Sequence, residues 1–553
     1  MALPRHDDAA ASRASLLTSL LTSLSAYPVV AVALVGWLLY RLMPRPSSSS
    51  QPRFPVWATL EIPLVSYVVS NKGGLAQRIY SALSRFGGSL FGISSTHQVL
   101  VNTSGVEKFM SQGLHSLTPE PMHNTLLIRV FGRPDSPRWD RMYYETARQL
   151  TIPVERMFLN DAAATATLER GAIAERAASF VTFSADPART QPWEKSAGIR
   201  VVRPDTPGKP GAVEANLQSL TRDFGAHMAI SLLYGRDFVT RYTTLLEDFW
   251  RFDNDMFPLL MIGIPDWAPF RTMREAKASR TRLIEELEAF YRRLGQHSRG
   301  EPVDFGADMS DAGDAVVGRQ AVYDKYGWTM RERGHADMGV IWGQNGNTQP
   351  MLFWYLAYLY STPGFVEELR RGEVASCMTL TDGSPREIAG LDMGVLSRDC
   401  PRMKAALFET YRLASDPTSI RYVARDAKLD DGARKHDMRQ GMYVSVPHSV
   451  IQRDPDVFAE PDRFVPDRFL EVDEETGKTV ARYGRLRPWG FGPGICKGRT
   501  FAEKEILALA ATIIALWDIN PVGGTWKVPA MMPGTGVKKP VEDIRVVISR
   551  RVF

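Results

Sequence analysis

A single cysteine in a glycine-rich loop is the residue of this chain best suited to bind a metal. Cys496 lies in residues 488–499, a segment with glycines at positions 490, 492, 494 and 498. From residue 499 to about 517 the apolar residues recur at helical spacing, so the cysteine lies just before a predicted helix. Backbone N–H groups at a helix N-terminus stabilise a thiolate. The glycines let the backbone approach something large and flat. The ordinary alternative is a buried structural cysteine, since free cysteine usually behaves as a small hydrophobe.

The loop resembles the heme-binding signature of the cytochrome P-450 superfamily, in which an aromatic residue and spaced glycines precede the cysteine. The resemblance implies that Cys496 is the axial thiolate ligand of a heme b iron, a ligand that favours O–O cleavage. It also implies that the heme lies against Trp489, Gly490, Gly492 and Gly498. Trp489 stands where the family usually has phenylalanine.

One position of the loop departs from the family pattern. Two residues before the cysteine the family usually has a basic residue that binds a heme propionate, and here it is Gly494. The resemblance points to Arg421, on a predicted strand, as the replacement. Trp139 matches the start of a Trp-x-x-x-Arg motif with the same role, but the arginine position holds tyrosine, so Arg141 and Arg148 are the alternatives there.

A second stretch, residues 340–356, predicts a long buried helix with a polar middle and a proline at position 350. Proline cannot donate to the helical ladder, so it bends a helix and frees backbone groups. By resemblance this helix crosses the distal face of the heme. The family usually has an acid and then a threonine there, which deliver protons to dioxygen, whereas this chain has Gly346 and Asn347, followed by Thr348. The alternative is a kinked core helix whose amides satisfy one another.

That departure resembles the branch of prostacyclin synthase and cholesterol 7α-hydroxylase. The branch includes steroid hydroxylases and an isomerase that consumes neither dioxygen nor electrons. Thr348 follows Asn347 as in the hydroxylases, so the resemblance favours a monooxygenase. Asn347 would be a hydrogen-bond donor, because an amide does not titrate, and water ordered by Thr348 would carry protons. Two alternatives stay open: a heme-thiolate isomerase or dehydratase that needs no reductase, and a non-catalytic heme-binding or sensor protein.

Glu409 and Arg412 lie three residues apart on a predicted helix, which puts both charges on one face. Alone, such a pair is an ordinary exposed ion pair worth little. The two residues resemble the family's Glu-x-x-Arg motif, and residues 464–469 resemble its Phe-x-Pro-x-Arg-Phe segment. The resemblance implies that Arg468 joins Glu409 and Arg412 in a buried network with a structural role.

The N-terminal residues 14–40 carry no charge, and the run is long enough to span a bilayer. Trp37 and Tyr40 suit a membrane interface, and Arg41 and Arg45 favour a cytosolic C-terminal side. A cleaved signal peptide is the alternative. We expect a membrane anchor in residues 1–43, a Pro/Ser-rich linker in 44–52 and the catalytic domain in 53–553. The resemblance implies a single-pass protein of the endoplasmic reticulum with a cytosolic catalytic domain.

Composition argues against several other classes. The 553 residues are 44% apolar with a formal net charge of +5, and the sequence has no Lys/Arg block or nucleic-acid motif, so we expect no nucleic-acid partner. Three cysteines give no disulfide framework, and the nine histidines form no zinc motif. The family resemblance implies a mainly α fold with small β-sheets, the cytochrome P-450 fold, in a single large heme domain.

The predicted reaction inserts one oxygen atom into a bulky apolar substrate, such as a sterol, a terpenoid or another specialised (secondary) metabolite. By resemblance, NADPH supplies electrons through a cytochrome P-450 reductase. Lys497, Arg499 and Lys504 surround the cysteine, where they form either a basic face for an acidic reductase or an ordinary solvated helix start. Membrane lipid is the other expected partner.

Overall fold

The described residues form mainly α-helices with several small sheets, which confirms the predicted fold class. This computed structural model describes residues 90–94, 97–100, 105–202, 211–261, 264–430, 435–532, 534 and 536–553. The α-helices are α1 Val106–Met110, α2 Glu120–Arg129, α3 Pro137–Phe158, α4 Asp161–Arg170, α5 Ile173–Arg176, α6 Leu217–Arg241, α7 Leu245–Arg251, α8 Phe257–Met261, α9 Arg271–Ser298, α10 Asp314–Lys325, α11 Met330–Asn345, α12 Thr348–Ser361, α13 Phe365–Leu369, α14 Ala375–Cys377, α15 Met393–Arg398, α16 Pro401–Ala414, α17 Ser449–Gln452 and α18 Arg499–Leu516.

Shorter elements connect these helices. Turns of 3-10 helix lie at Ala177–Ser179, Pro192–Glu194, Asp304–Gly306 and Gly492–Gly494, and turns of π-helix at Phe252–Met256 and Arg370–Val374. The strands are β1 Leu90–Ser94, β2 His97–Leu100, β3 Leu117–Thr118, β4 Arg200–Val202, β5 Ala212–Asn216, β6 Met378–Leu380, β7 Ile388–Leu391, β8 Thr418–Val423, β9 Ala427–Asp430, β10 Lys435–Met438, β11 Tyr443–Pro447, β12 Leu470–Val472, β13 Thr479–Ala481, β14 Trp517–Pro521, β15 Met531–Met532, β16 Lys539–Pro540 and β17 Arg545–Arg550.

The largest sheet has five strands in the order β1-β2-β11-β8-β3. β11 pairs in parallel with β2 and antiparallel with β8, which puts Val444 opposite Arg421. Along β8 the side chains alternate, so that Ser419, Arg421 and Val423 are buried on one face. This alternation turns the arginine inward. A second sheet has the order β14-β17-β5-β4 and joins two strands near the end of the chain to two strands from residues 200–216.

Helices α12 and α18 run through the core. Every residue of α12 from Thr348 to Leu359 is buried, so this part of the helix has no solvent face. It packs against α6, α16 and α18. Because α12 is packed in the core, its first turn has a fixed position. That turn forms part of the candidate site.

The predicted distal helix is divided into two. α11 ends at Asn345 and α12 begins at Thr348, with Gly346 and Asn347 between them. Pro350 has no N–H to donate to the carbonyl of Gly346, four residues earlier. Because Pro350 lies in the first turn of α12, where N–H groups have no partner within the helix, its presence costs little. The predicted bend is therefore a break, and Asn347 is the N-cap of α12, where its carbonyl oxygen accepts from the Met351 N–H at 3.1 Å.

The predicted membrane anchor in residues 1–43 and the linker in 44–52 lie outside the described residues. Among the helices in the described ranges, none is both long and apolar enough to cross a bilayer.

Candidate functional site

A cavity of about 590 Å³ brings together residues from distant parts of the chain. Its walls come from the cysteine loop (residues 488–498), the distal helix pair α11–α12, strand β8, the start of α18 and the turn at 536–537. Cavities of this size typically bind small molecules or cofactors. The residues that sequence analysis singled out and that line it are Asn347, Thr348, Arg421, Trp489, Gly490, Gly494, Cys496 and Gly498.

The Cys496 thiol lines the cavity and is accessible from it, although the surrounding protein desolvates the sulfur. Burial raises the pKa of this thiol, while the backbone N–H groups of Gly498 and Arg499 and the charges of Arg499 and Lys497 act in the opposite direction. The helix start therefore favours the thiolate as predicted, but burial outweighs it. A metal cation beside the sulfur would make the thiolate the stable form. The donor set and the cavity thus fit the expected heme iron.

Trp489 is held in the loop by several contacts. Its indole N–H donates to the Tyr483 hydroxyl at 3.0 Å, and that hydroxyl donates to a Glu503 carboxylate oxygen at 2.6 Å. Tyr411 packs edge-on against the indole, with ring centroids 5.1 Å apart. A phenylalanine at position 489 could not donate this hydrogen bond, so the tryptophan fixes the loop more firmly.

The loop glycines make room for protein groups. Gly490 and Gly492 have φ values of 79° and 57°, which favour glycine. A β-carbon on Gly492 would lie 2.3 Å from the backbone carbonyl oxygen of Met110. A β-carbon on Gly498 would meet only the Cys496 sulfur, at an ordinary 3.9 Å. Close packing of the loop against α1 therefore requires Gly492, whereas no protein atom of the described residues requires a glycine at position 498.

Arg421 explains the glycine at position 494. Its guanidinium donates to the carbonyl oxygens of Phe491 and Ile420 at 2.9 and 2.8 Å. A β-carbon on Gly494 would lie 2.3 Å from the terminal Nη2 of Arg421, so a side chain at 494 and this arginine exclude one another. Burial lowers the pKa of Arg421 to about 10, which leaves the side chain cationic at neutral pH. The cation near the loop thus comes from strand β8.

The alternative cations on α3 lie elsewhere. Trp139 packs edge-on against Trp328 and His335, with ring centroids 6.0 and 5.7 Å apart. Arg148 pairs with Glu155 at 3.3 Å and is 64% exposed. Among the described residues that line the cavity, Arg421 is the only arginine and neither Arg141 nor Trp139 is present.

His123 on α2 also lines the cavity. Burial lowers the pKa of its imidazole to about 4, and the positive charge of Arg421 acts in the same direction. The ring is therefore neutral at pH 7 and can donate from one nitrogen. Sequence analysis missed this residue, because a single histidine in a helix carries no motif.

The break in the distal helix orients Asn347. Its Oδ1 accepts a hydrogen bond from the backbone N–H of Val537 at 3.0 Å. A backbone N–H can only donate, so this contact identifies the side-chain oxygen and leaves Nδ2 as the free end of the amide. Asn347 and Thr348 both line the cavity. Gly346 contributes space only, since a β-carbon there would lie 2.7 Å from Nε1 of Trp342.

Glu505 on α18 is a buried acid at the cavity wall. Among the described lining residues it is the only carboxylic acid. Gln349 Nε2 donates to its Oε1 at 3.1 Å, and its Oε2 has no hydrogen-bond partner in the described structure. Burial raises the pKa of Glu505 to about 8. Sequence analysis missed Glu505 because it reads as a polar position of an apolar helix.

Glu409, Arg412 and Arg468 form one buried cluster. Arg412 donates to both carboxylate oxygens of Glu409, at 2.7 and 2.8 Å, and Arg468 Nε donates to Oε1 at 3.0 Å. The Glu409 and Arg412 side chains are fully buried. Arg412 also donates to three backbone carbonyls of residues 452–463, at 2.6 to 3.1 Å. The cluster fixes α16, whose Tyr411 packs on Trp489.

The three cations around the cysteine are largely engaged within the chain. Lys497 pairs with Glu155 at 3.0 Å, and Lys504 pairs with Asp161 at 3.1 Å. Arg499 donates to the carbonyl of Cys496 at 3.0 Å. Two of the three positive charges are thus matched by carboxylates, so this face is less basic than the sequence suggests.

Comparison with known proteins agrees with this geometry. The family model described as cytochrome P-450 matches residues 236–545. A cytochrome P-450 monooxygenase of Gibberella zeae is 26% identical over 328 residues, which cover 58% of this chain and 59% of that protein. The 25-hydroxycholesterol 7-alpha-hydroxylase of Rattus norvegicus is 29% identical over 288 residues, or 50% of this chain and 64% of the relative.

A third relative belongs to the same group of sterol enzymes. The 7-alpha-hydroxycholest-4-en-3-one 12-alpha-hydroxylase of Oryctolagus cuniculus is 32% identical over 241 residues, which cover 41% of this chain and 45% of that protein. The matched region thus spans from about half to under two thirds of the length of these relatives.

Proposed function

The chain belongs to the cytochrome P-450 family, and from this membership we propose that it is a heme-thiolate monooxygenase. The reaction inserts one oxygen atom of O2 into a bulky apolar substrate and takes NADPH electrons through a cytochrome P-450 reductase. The proposal depends on one observation: a single cavity has the Cys496 thiol on one wall and Asn347 and Thr348 on another.

The cofactor of the family is a heme whose iron is bound by a cysteine thiolate, and the cavity residues fit it. Cys496 would ligate the iron, with Trp489, Gly490, Gly492 and Gly498 shaping the loop beneath. Bound there, the heme supplies the activation of O2 for insertion into a C–H bond. The Arg421 guanidinium would hold a heme carboxylate, and the neutral His123 ring, which also lines the cavity, would be a hydrogen-bond donor to it.

Three residues that line the cavity, Asn347, Thr348 and Glu505, hold or move protons in this proposal. Asn347 would donate from Nδ2 to an oxygen of O2 or of the substrate, because its Oδ1 accepts from the Val537 N–H. Glu505 is protonated at neutral pH, since burial raises its pKa to about 8. It is the acid we assign as the proton reservoir, connected to the cavity through water ordered by the Thr348 hydroxyl. Gly346 has no side chain and so leaves space for the Trp342 indole.

The substrate class we propose is a sterol, a terpenoid or a specialised metabolite of similar bulk. Two of the relatives are named as hydroxylases of cholesterol derivatives. Apolar side chains of Met122, Leu126, Trp342 and Met351 line the cavity and suit such a molecule.

The remaining parts have supporting roles in this proposal. Glu409, Arg412 and Arg468 stabilise the scaffold of the cysteine loop and take no part in chemistry. Residues 1–43 anchor the protein in the endoplasmic reticulum membrane, and a reductase docks on the face around Lys497 and Arg499.

A reductase-driven carbon monoxide spectrum tests the proposal. The holoprotein is reduced under carbon monoxide by NADPH and the reductase, in parallel with dithionite. We expect the thiolate-type ferrous–CO band with both reductants, and its loss in Cys496→Ser. If that band survives in Cys496→Ser, Cys496 is not the iron ligand.

A heme-thiolate isomerase or dehydratase is the second candidate, and one observation favours it. The distal helix has no acid beside Asn347, and Trp342 occupies the space that an acid at position 346 would need. An isomerase would form the ferrous–CO band with dithionite alone, even with sterols and terpenoids present. A band formed by the reductase in their presence supports the monooxygenase.

A further inference from the structure

Trp342 lies on the cavity side of the distal helix α11. It lines the cavity, and its indole stacks on Phe257 of α8, with ring centroids 4.5 Å apart and an 18° interplanar angle. Phe131 packs against both rings, at 5.8 Å from Trp342 and 5.9 Å from Phe257. These three rings form an aromatic wall between the distal helix and the α7–α8 segment.

A buried carboxylate fixes the indole. Trp342 Nε1 donates to Oδ1 of Asp253 at 2.9 Å. Asp253 is fully buried and lies in the π-helical turn Phe252–Met256 between α7 and α8. Such turns are rare and often mark functional sites. In this turn the Asp253 carboxylate points into the interior.

The charge of Asp253 is balanced from the C-terminal hairpin β15–β16. Lys539 Nζ contacts Asp253 Oδ2 at 2.9 Å and Asn254 Oδ1 at 2.6 Å. Both side chains of the ion pair are buried, with exposed fractions of 10% for Lys539 and 0% for Asp253. The pair therefore connects three elements: the π-helical turn, the distal helix and the hairpin. The turn that follows Met532 also supplies Val537, which holds Asn347.

We propose that Asp253 is a positioning residue for substrate binding, which holds the Trp342 indole as a fixed wall of the cavity, with Lys539 as its counter-ion. The indole N–H is fully used by Asp253, so the wall offers only an aromatic face. The part of a substrate that lies against Trp342 is therefore apolar, and the polar end lies towards Asn347. The inference rests on the heme site of the proposed function but not on its reaction.

Two double variants isolate the hydrogen bond to the indole. Asp253→Asn/Lys539→Met removes both charges but keeps an oxygen that accepts from Trp342. Asp253→Leu/Lys539→Met removes the same charges with a side chain of similar size and no acceptor. Replacing a buried ion pair by neutral groups of similar volume is often tolerated, so both variants should fold. Trp342→Phe keeps an aromatic ring but deletes the indole N–H, together with the five-membered ring that carries it.

The readout is ligand binding to the resting ferric holoprotein, which needs neither reductase nor O2. Clotrimazole is the bulky azole, which we expect to reach the aromatic wall, and imidazole is the small one, which we expect to bind the iron without reaching it. Loss of the acceptor leaves a buried N–H unsatisfied and releases the ring. We expect the dissociation constant of clotrimazole to rise about tenfold in the Leu/Met double variant and in Trp342→Phe. The Asn/Met double variant should resemble wild type, and imidazole affinity should stay constant throughout.

Two results would overturn the inference. One is equal clotrimazole affinity in the two double variants, which would make Asp253 a purely structural charge. The other is a parallel loss of imidazole binding, which would indicate general damage to the heme site. If imidazole causes no spectral shift in the wild-type protein, the proposed heme site is itself wrong. Failure of the monooxygenase assay alone would leave the azole result unaffected.

Discussion

The side-chain oxygen of Asn347 accepts a hydrogen bond from the backbone N–H of Val537 at 3.0 Å. The contact joins the break in the distal helix to a turn 190 residues further along the chain. It fixes which end of the amide is the oxygen and leaves the Nδ2 group as the hydrogen-bond donor that a ligand can meet. The chemical role that we propose for Asn347 follows from this orientation.

Replacing Asn347 separates its two contacts. Asn347→Asp keeps an acceptor for Val537 but loses the donor, whereas Asn347→Ala loses both. Because a preorganised donor to developing charge is worth about 100-fold or more in turnover, we expect both variants to lose about that much in the reductase-supported assay. Only Asn347→Ala should also lower the melting temperature. Full turnover in Asn347→Asp would show that the Nδ2 donor is unnecessary.

The buried cluster at Glu409 predicts a large stability effect. Glu409→Gln leaves the fully buried Arg412 without its counter-charge, which costs about 3–5 kcal/mol. Chemical denaturation followed by far-UV circular dichroism measures the loss. Glu460→Gln is the matched control, since Glu460 pairs with Arg463 at 3.0 Å with both side chains more than 60% exposed. Equal effects of the two substitutions would contradict the structural role of Glu409.

The exclusion between Arg421 and position 494 predicts a charge exchange. Arg421→Met should speed heme loss, because a heme carboxylate loses its cation. Gly494→Arg alone should also impair heme binding, since its side chain meets the guanidinium of Arg421. The double variant has room for the new arginine and should recover part of the heme retention. Heme transfer to apomyoglobin gives the rates. A double variant worse than both single variants would argue against exchange of the cation.

Glu505 predicts a pH dependence of stability. Burial raises its pKa in the folded protein from 4.5 to about 8. The folded state therefore holds a proton that the unfolded state releases above pH 4.5, so stability falls as the pH rises towards 8. Above that value the contribution of the protonated form is fully lost. We expect melting temperatures measured across this range to fall less steeply for Glu505→Gln than for wild type. Glu475→Gln, at an exposed position, should keep the wild-type slope.

The anchoring of the aromatic wall gives a prediction about ligand size, tested by the azole titrations described above. Trp342 and Phe257 stack at 4.5 Å, so a ligand that fills the cavity contacts the wall and a small one does not. Loss of the Asp253 acceptor should therefore weaken the binding of large ligands and leave the affinity for small ligands unchanged. A general loosening of the fold would not.

The sequence by itself predicts those features that depend on short spacing along the chain. The helix α18 after Cys496 follows from apolar periodicity, and the Glu409–Arg412 pair follows from a three-residue separation on one helical turn. The distal break could be anticipated as a bend, because proline removes a hydrogen bond wherever it falls in a helix. The family resemblance then predicted that the heme binds at the Cys496 loop.

Only the tertiary structure decided which distant side chains share the site. Arg421 and Gly494 exclude one another across a strand and a loop, Gln349 meets Glu505 over 156 positions, and Asp253 meets Lys539 over 286. No periodicity or spacing rule relates such residues, because their contact depends on how helices and sheets pack. Burial then determined their chemistry. It raised the pKa of Glu505. The buried Asp253 carboxylate is paired with the Lys539 ammonium and accepts a hydrogen bond from the Trp342 indole.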